Sequence, residues 1–263
     1  MPITEAAFLN GVGLFLIALV RFSGFFLNTP VFSDNLAPTR VKAGLCALCS
    51  TIMLPHLIAT TTLPNLSVVG YGIMAIKELA LGFMLGFIVM FMTSALRMGG
   101  NIIGMQIGFS YAQVADPGSN QSIGIISEIL QLSGSLLFLY FGGHLIILRA
   151  FYQSFQYVPP AGLLLTNSVI EEILLYSRMI FICGLQIAMP IIAVILVGDV
   201  ALGIIARTVP RMNIFQLGFA VKIIAGMIVI YFFINCLTDV IQYLLNLSLE
   251  EVMLVLKHLG GVQ

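Results

Sequence analysis

Charge is the scarcest resource in this sequence. Its 263 residues include 11 Lys or Arg and 11 Asp or Glu, 8% of the chain, where a soluble globular domain carries about 25%. A chain this poor in charge cannot cover a water-facing surface, so its outer surface must face lipid or other apolar protein. The formal net charge is zero, which removes the basic field that nucleic-acid binding requires. Cysteine is equally uninformative. Cys46, Cys49, Cys183 and Cys236 all sit in apolar stretches. The C-x-x-C spacing of Cys46 and Cys49 has no second pair, and His56 is the only histidine in reach, so the four read as small apolar helix residues. The chemistry-bearing motifs are missing too. No glycine-rich loop leads into Lys-Ser or Lys-Thr, no nucleophile elbow occurs, and no carboxylates pair at catalytic spacing. The expectation is a protein without catalytic residues, cofactor or metal.

Hydrophobic residues make up 60% of the chain. Measured against the roughly 20 residues that cross a bilayer as helix, the apolar stretches predict about six spans. They run Ala6 to Leu27, Val41 to Leu57, Val68 to Leu96, Ile129 to Leu148, Met179 to Val197 and Ile214 to Leu237. Nothing alternates as a barrel strand does, and a lipid-facing backbone must satisfy its own hydrogen bonds, so the class is an all-α, polytopic helical membrane protein. The start, Met1-Pro2-Ile3-Thr4-Glu5, has no basic region ahead of the first apolar stretch, which therefore reads as a retained membrane helix and not a signal peptide. No linker is long and polar enough to separate two independent domains. Ser248 and Glu251 form a capping-box pattern before Val252 to Leu259 and Gly260-Gly261, which predicts a short separate final helix, interfacial or packed on a partner.

Two features sit badly in a plain bundle. Arg21, Lys77, Glu78 and Lys222 fall inside apolar segments, where a central charge costs roughly 2.5–3.5 kcal/mol on insertion scales. They either snorkel from helix ends or face a water-filled path or partner subunit. The second feature is Met98 to Ser122, rich in glycine. Gly100, Gly104 and Gly108, four apart, would put three small residues on one helix face. Asp116-Pro117-Gly118-Ser119-Asn120 follows as a turn signal, after the apolar Phe109-Ser110-Tyr111-Ala112-Gln113-Val114. Irregular backbone at membrane depth is tolerated only where protein buries it or water lines it. A pore-closing hairpin tip and a tight interhelical loop both meet that condition, and the residues alone leave the two open. His144, in Gly142-Gly143-His144, has no second ligand at metal spacing and reads as a structural histidine, and Glu171-Glu172 as charge at a helix start.

At these residues the chain resembles the FliR/SctT family of type III secretion export-gate subunits. The resemblance is carried by Gly104-Met105-Gln106-Ile107-Gly108-Phe109-Ser110 with Ala115-Asp116-Pro117-Gly118-Ser119, by Leu136 through Gly143-His144-Leu145 to Pro160-x-Gly162, and by Ala201 through Arg207-x-x-Pro210 to Asn213-Ile214-Phe215-x-x-Gly218-Phe219. The family usually shows Asn-Gly-His where this chain has Gly142-Gly143-His144. The resemblance implies a subunit of the flagellar protein export gate in the bacterial inner membrane, at the flagellar basal body. It would be assembled with about five copies of FliP and about four of FliQ, beside FlhB and FlhA. It implies a FliP-like part over about residues 1–175, followed over about 176–263 by a FliQ-like helix pair and a C-terminal helix. It further implies a channel plug built on Gly104, Met105, Gln106, Gly108, Phe109, Tyr111, Asp116, Pro117 and Gly118, through which unfolded flagellar proteins pass. Lys222, Arg207, Arg211 and Asn213 would make subunit-assembly or proton-coupled contacts. Family complexes sit largely above the membrane plane, which would surround the embedded charges with neighbouring subunits.

Two other readings compete. A homologous injectisome subunit shares the architecture, but the Asp116-Pro117-Gly118-Ser119 stretch looks flagellar. A small-solute secondary transporter needs matching broken helices in two halves, and no such pair is evident. On topology, Arg40, Lys42, Arg97, Arg207 and Arg211 fall on alternate links, which would place both termini outside. Arg149 and Arg178 oppose that, and so does the resemblance, which puts the C-terminus beside FlhB on the cytoplasmic side.

Overall fold

The computed structural model describes residues 5–28, 38–61, 63–64, 67–109, 124–160, 162, 167–208 and 214–259. Seven helices occur among them: α1 (Glu5–Asn28), α2 (Thr39–Thr60), α3 (Val68–Ile107), α4 (Ile125–Tyr140), α5 (Gly143–Tyr157), α6 (Asn167–Thr208) and α7 (Ile214–Leu259). The all-α class follows from the sequence's long apolar runs, whose backbone can satisfy itself in lipid only as helix. Five helices are long and apolar enough to cross a membrane, or six spans if the pair α4–α5 counts as one. Hydroxyls inside α2 bond back to the preceding turn, Ser50 Oγ to the Cys46 carbonyl at 2.7 Å and Thr51 Oγ1 to that of Ala47 at 2.8 Å. Polar side chains are thereby satisfied within an apolar helix.

Three expectations about elements need correction. The stretch Ile129 to Leu148 is not one helix. The helix breaks after Tyr140, and Gly142 at the break adopts φ 72°, ψ 21°, a left-handed conformation that glycine takes without steric cost. Hydropathy sees only that both arms are apolar. The short final helix is likewise absent as a separate element, because α7 continues unbroken from Ile214 to Leu259. Ser248 is buried within it and Glu251 accepts a hydrogen bond from the Tyr176 hydroxyl, so the capping-box residues are used for packing. Finally, α3 runs 40 residues, past the expected end at Leu96 and through Gly100 and Gly104.

The chain divides into two compact units. Unit 1 comprises residues 1–91, 142–176 and 246–263, and unit 2 residues 92–141 and 177–245. In unit 1, α1 packs along α2, and Phe22 stacks on Phe151 with ring centroids 4.3 Å apart while Phe25 meets the same ring edge-on at 4.8 Å. Leu14, Leu57 and Leu81 are fully enclosed beside them. In unit 2 the core is aliphatic: Leu96, Ile103, Ile107, Ile187, Ile191, Ile195 and Ile241 are all buried.

Candidate functional site

The glycine-rich end of α3 is closely enclosed within unit 2. Three helices approach it, each at a glycine. A Cβ on Gly100 would lie 2.4 Å from Ser127 Cα on α4. A Cβ on Gly99 would lie 2.9 Å from Ile187 Cγ2 and 3.0 Å from the Gly184 carbonyl on α6, and one on Gly184 would meet Met98 at 3.0 Å. From α7, Gly226 leaves room for Ile107, whose Cδ1 would be 2.5 Å from an added Cβ. Small residues permit such approach because apolar helices in lipid gain from close packing and not from expelling water. Polar contacts fix the same register. Arg97 Nε donates to Gln131 Oε1 at 2.7 Å, and Ser127 Oγ donates to the Arg97 carbonyl at 2.9 Å.

These contacts make α3 and α4 the two arms of a hairpin. The expected stripe of three glycines is only partly present. Gly100 meets α4, but a Cβ on Gly104 would meet no atom within 4 Å. Gly108 is no stripe residue at all. With φ 100° it ends the helix, and its N–H bonds to the carbonyls of Gly104 and Met105, each at 3.2 Å, the left-handed termination that favours glycine. Of the predicted plug residues, Gly104 and Gly108 are buried, Gln106 and Phe109 half-buried, and Met105 is exposed. Tyr111, Asp116, Pro117 and Gly118 lie outside the described residues. Sequence reading missed Arg97, Ser127, Gln131, Gly184 and Gly226 as stem residues. Gly184 and Gly226, glycines inside apolar helices, were the available signal.

A second group lies on α6 and α7. Lys222 Nζ is 2.7 Å from Asp199 Oδ1, with side chains 30% and 44% exposed. The pair stands among exposed apolar residues, Val197 and Val200 on α6 and Phe219 and Ile224 on α7. Asp199 was not singled out from sequence, although an acid inside so apolar a stretch was legible. Arg207 is exposed in the last turn of α6, where a cation complements the helix dipole. Arg211 and Asn213 lie outside the described residues. His144 is exposed near the start of α5, and among the described residues no three His, Cys, Asp or Glu side chains converge as a metal site.

Two of the embedded charges, Arg21 and Glu78, overturn both alternatives posed for them, while Lys77 beside them in sequence is half-buried. Arg21 and Glu78 neither snorkel nor face water. Both are fully buried inside unit 1, with Arg21 Nε 2.5 Å from Glu78 Oε2. The pair exists because α1 and α3 cross backbone to backbone one turn further on. A Cβ on Gly24 would lie 2.4 Å from the Leu79 carbonyl, and one on Gly82 would fall 1.9 Å from that of Arg21.

Comparison with known proteins gives a consistent result. The profile of bacterial export proteins, family 1, matches residues 12–248. The chain is 30% identical to the flagellar biosynthetic protein FliR of Escherichia coli K12 over 226 residues, 86% of each chain. It is 31% identical to FliR of Pectobacterium carotovorum over 217 residues, 82% of each. Over 256 residues it is 30% identical to FliR of Bacillus subtilis 168, covering 94% of this chain and 95% of that one.

Proposed function

The chain belongs to the bacterial export proteins, family 1, with flagellar FliR proteins among its relatives, and on that premise we propose that it is a structural and gating subunit of the flagellar type III protein export gate. In this reading it forms a channel with about five copies of FliP and about four of FliQ, beside FlhB and FlhA. The gate sits in the inner membrane at the flagellar basal body and passes unfolded flagellar proteins. The chain is a conduit component and not an enzyme. Residues 1–175 would be the FliP-like part, and 176–263 the FliQ-like helix pair with its C-terminal continuation. The flagellar names of the relatives favour this over an injectisome role.

The observation that carries the gating proposal is the clasped stem. Arg97, Gly99 and Gly100 are locked to α4 and α6, while Gly108 terminates α3 in a left-handed turn. A stem held this firmly can present the segment 110–123 to a channel while the stem itself stays in place. Apolar residues such as Phe109, Tyr111 and Val114 would seal a closed pore against ions, and Asp116-Pro117-Gly118 would turn its tip. Lys222, in its ion pair with Asp199, is proposed as a subunit contact, since a half-exposed charge pair on an apolar surface is poorly accommodated by lipid. Arg207, Arg211 and Asn213 would extend that contact.

Deleting Tyr111 to Asn120 tests the plug. Cells carrying the deletion should assemble the complex at its normal mass yet leak small ions, read as a fall in membrane potential. An ion-tight membrane with the deleted complex intact would refute the plug.

A further inference from the structure

The buried charge in unit 1 plays no part in the proposed gate, and its arrangement asks for an explanation. Arg21 lies within the apolar segment Phe8–Leu27, and Glu78 within Val68–Ile107. Either ion alone in such a helix opposes membrane insertion. Together they are fully enclosed, 2.5 Å apart, held there by the Gly24–Gly82 crossing. The guanidinium is then used to its full width. Arg21 Nη1 donates to Ser154 Oγ at 3.2 Å, and Nη2 to the Val158 carbonyl at 3.0 Å. The Phe155 ring centroid lies 3.9 Å from its central carbon, a cation–π distance. Ser154 and Phe155 belong to the last turn of α5, and Val158 caps it. One arginine thus joins α1, α3 and α5.

Chain order gives this node a direction. Beyond Arg21, α1 contains no acid, and α2 contains none either. Among the described helices the first acidic residue after Arg21 is therefore Glu78, which directly follows Lys77. We propose that α1 and α3 are retained in the membrane as one mutually neutralised pair, Glu78 holding Arg21 in the bilayer, and that the remaining N–H groups of Arg21 then capture the C-terminal end of α5. The node is a folding lock with two separable parts: net charge keeps α1 in place, and the planar fork docks α5. Lysine could perform the first role but not the second, because an ammonium cannot reproduce the fork.

Site-directed labelling of the full-length chain in native membranes, with the four cysteines replaced, separates these parts. Leu16 and Ile76 are exposed on the apolar outsides of α1 and α3. A cysteine at either position should resist a membrane-impermeant maleimide in the folded chain. Glu78→Leu should raise labelling of Leu16→Cys at least tenfold, whereas Arg21→Leu should leave Leu16→Cys protected, with Ile76→Cys, next to the half-buried Lys77, as the control that α3 itself stays in place. The double variant Arg21→Leu/Glu78→Leu should return Leu16→Cys to within about twofold of the parent, since an apolar pair replaces a neutralised one with little penalty. Arg21→Lys should leave both protected yet expose a cysteine at Val158, which is fully buried in the parent. If proteolysis removes the single variants, recovery of full-length protein in the double variant, read by immunoblot, carries the same test. Protection of Leu16→Cys in Glu78→Leu, or a double variant as labelled or depleted as Glu78→Leu, would overturn the lock. Continued burial of Val158→Cys in Arg21→Lys would overturn the docking role of the fork.

Discussion

A single hydrogen in place of a methyl group decides whether α1 and α3 can cross. The Gly82 Cα faces the Arg21 carbonyl so closely that an added Cβ would fall 1.9 Å from its oxygen, and because that atom is backbone, no rotamer change relieves the overlap. Gly72 lies on the same helix with nothing within 4 Å of the corresponding position. The two glycines should therefore respond to alanine in opposite senses. Gly82→Ala should destabilise the detergent-solubilised chain by about 1–3 kcal/mol, the usual range for forced overpacking. Gly72→Ala should be neutral or stabilise by up to about 1 kcal/mol, because alanine is the better helix former. Thermal-aggregation midpoints of the two variants check this directly, and equal midpoints would contradict the crossing. Nothing local in the sequence separates the two positions. Each is a glycine among apolar residues with a second glycine within a turn, and only the partner helix makes one of them indispensable.

Elements were legible where a long apolar run settles the matter and illegible where one residue's backbone does. The helices α1, α2 and the body of α3 sit where hydropathy places them, since lipid leaves a long apolar segment no alternative to helix. The α4–α5 break was missed because Gly142 ends the helix without interrupting the chain's apolar character. The Ser248–Glu251 pattern misled for the opposite reason. A capping box starts a helix only if the residues before it are outside one, and Leu244 and Leu245 continue α7 into it. The break itself makes a prediction. At φ 72°, a β-branched side chain pays the left-handed penalty of about 1–2 kcal/mol, whereas Asn tolerates that conformation better than other non-glycine residues. Gly142→Asn should keep the unfolding midpoint in mixed micelles close to the parent's, and Gly142→Val should lower it by an amount in that range. An equal loss in both variants would show that the side chain, and not φ, matters there.

For the whole molecule, the scarcity of charge identified a membrane protein, but it could not say which charges are hidden or what covers the outside. Arg21 and Glu78 cancel each other through a helix crossing that joins residues 57 apart, a distance no local pattern spans. The stem glycines were legible in part, but their partners on α6 and α7 were not, for the same reason. What remains is an apolar exterior of unequal character. In the most apolar window of α7 only 11% of residues are buried within the chain, against 67% in α3. Phe232 and Cys236, one turn apart on the same side of α7, both stand exposed, as do Tyr231 and Ile234 elsewhere around the helix. If the chain works as an export-gate subunit, neighbouring helices and not lipid should cover this face, because aromatic residues gathered on an apolar patch mark association surfaces. Cys236 can report the difference. In a variant retaining only that cysteine, an apolar, lipid-soluble maleimide should label the chain freely when it is expressed alone. Labelling should fall several-fold when FliP and FliQ are co-expressed. Loss of labelling would place a partner over the middle of α7. Unchanged labelling in a complex shown intact by its native mass would mean that this face meets lipid even in the assembled gate, and that the partners must be seated elsewhere on the molecule.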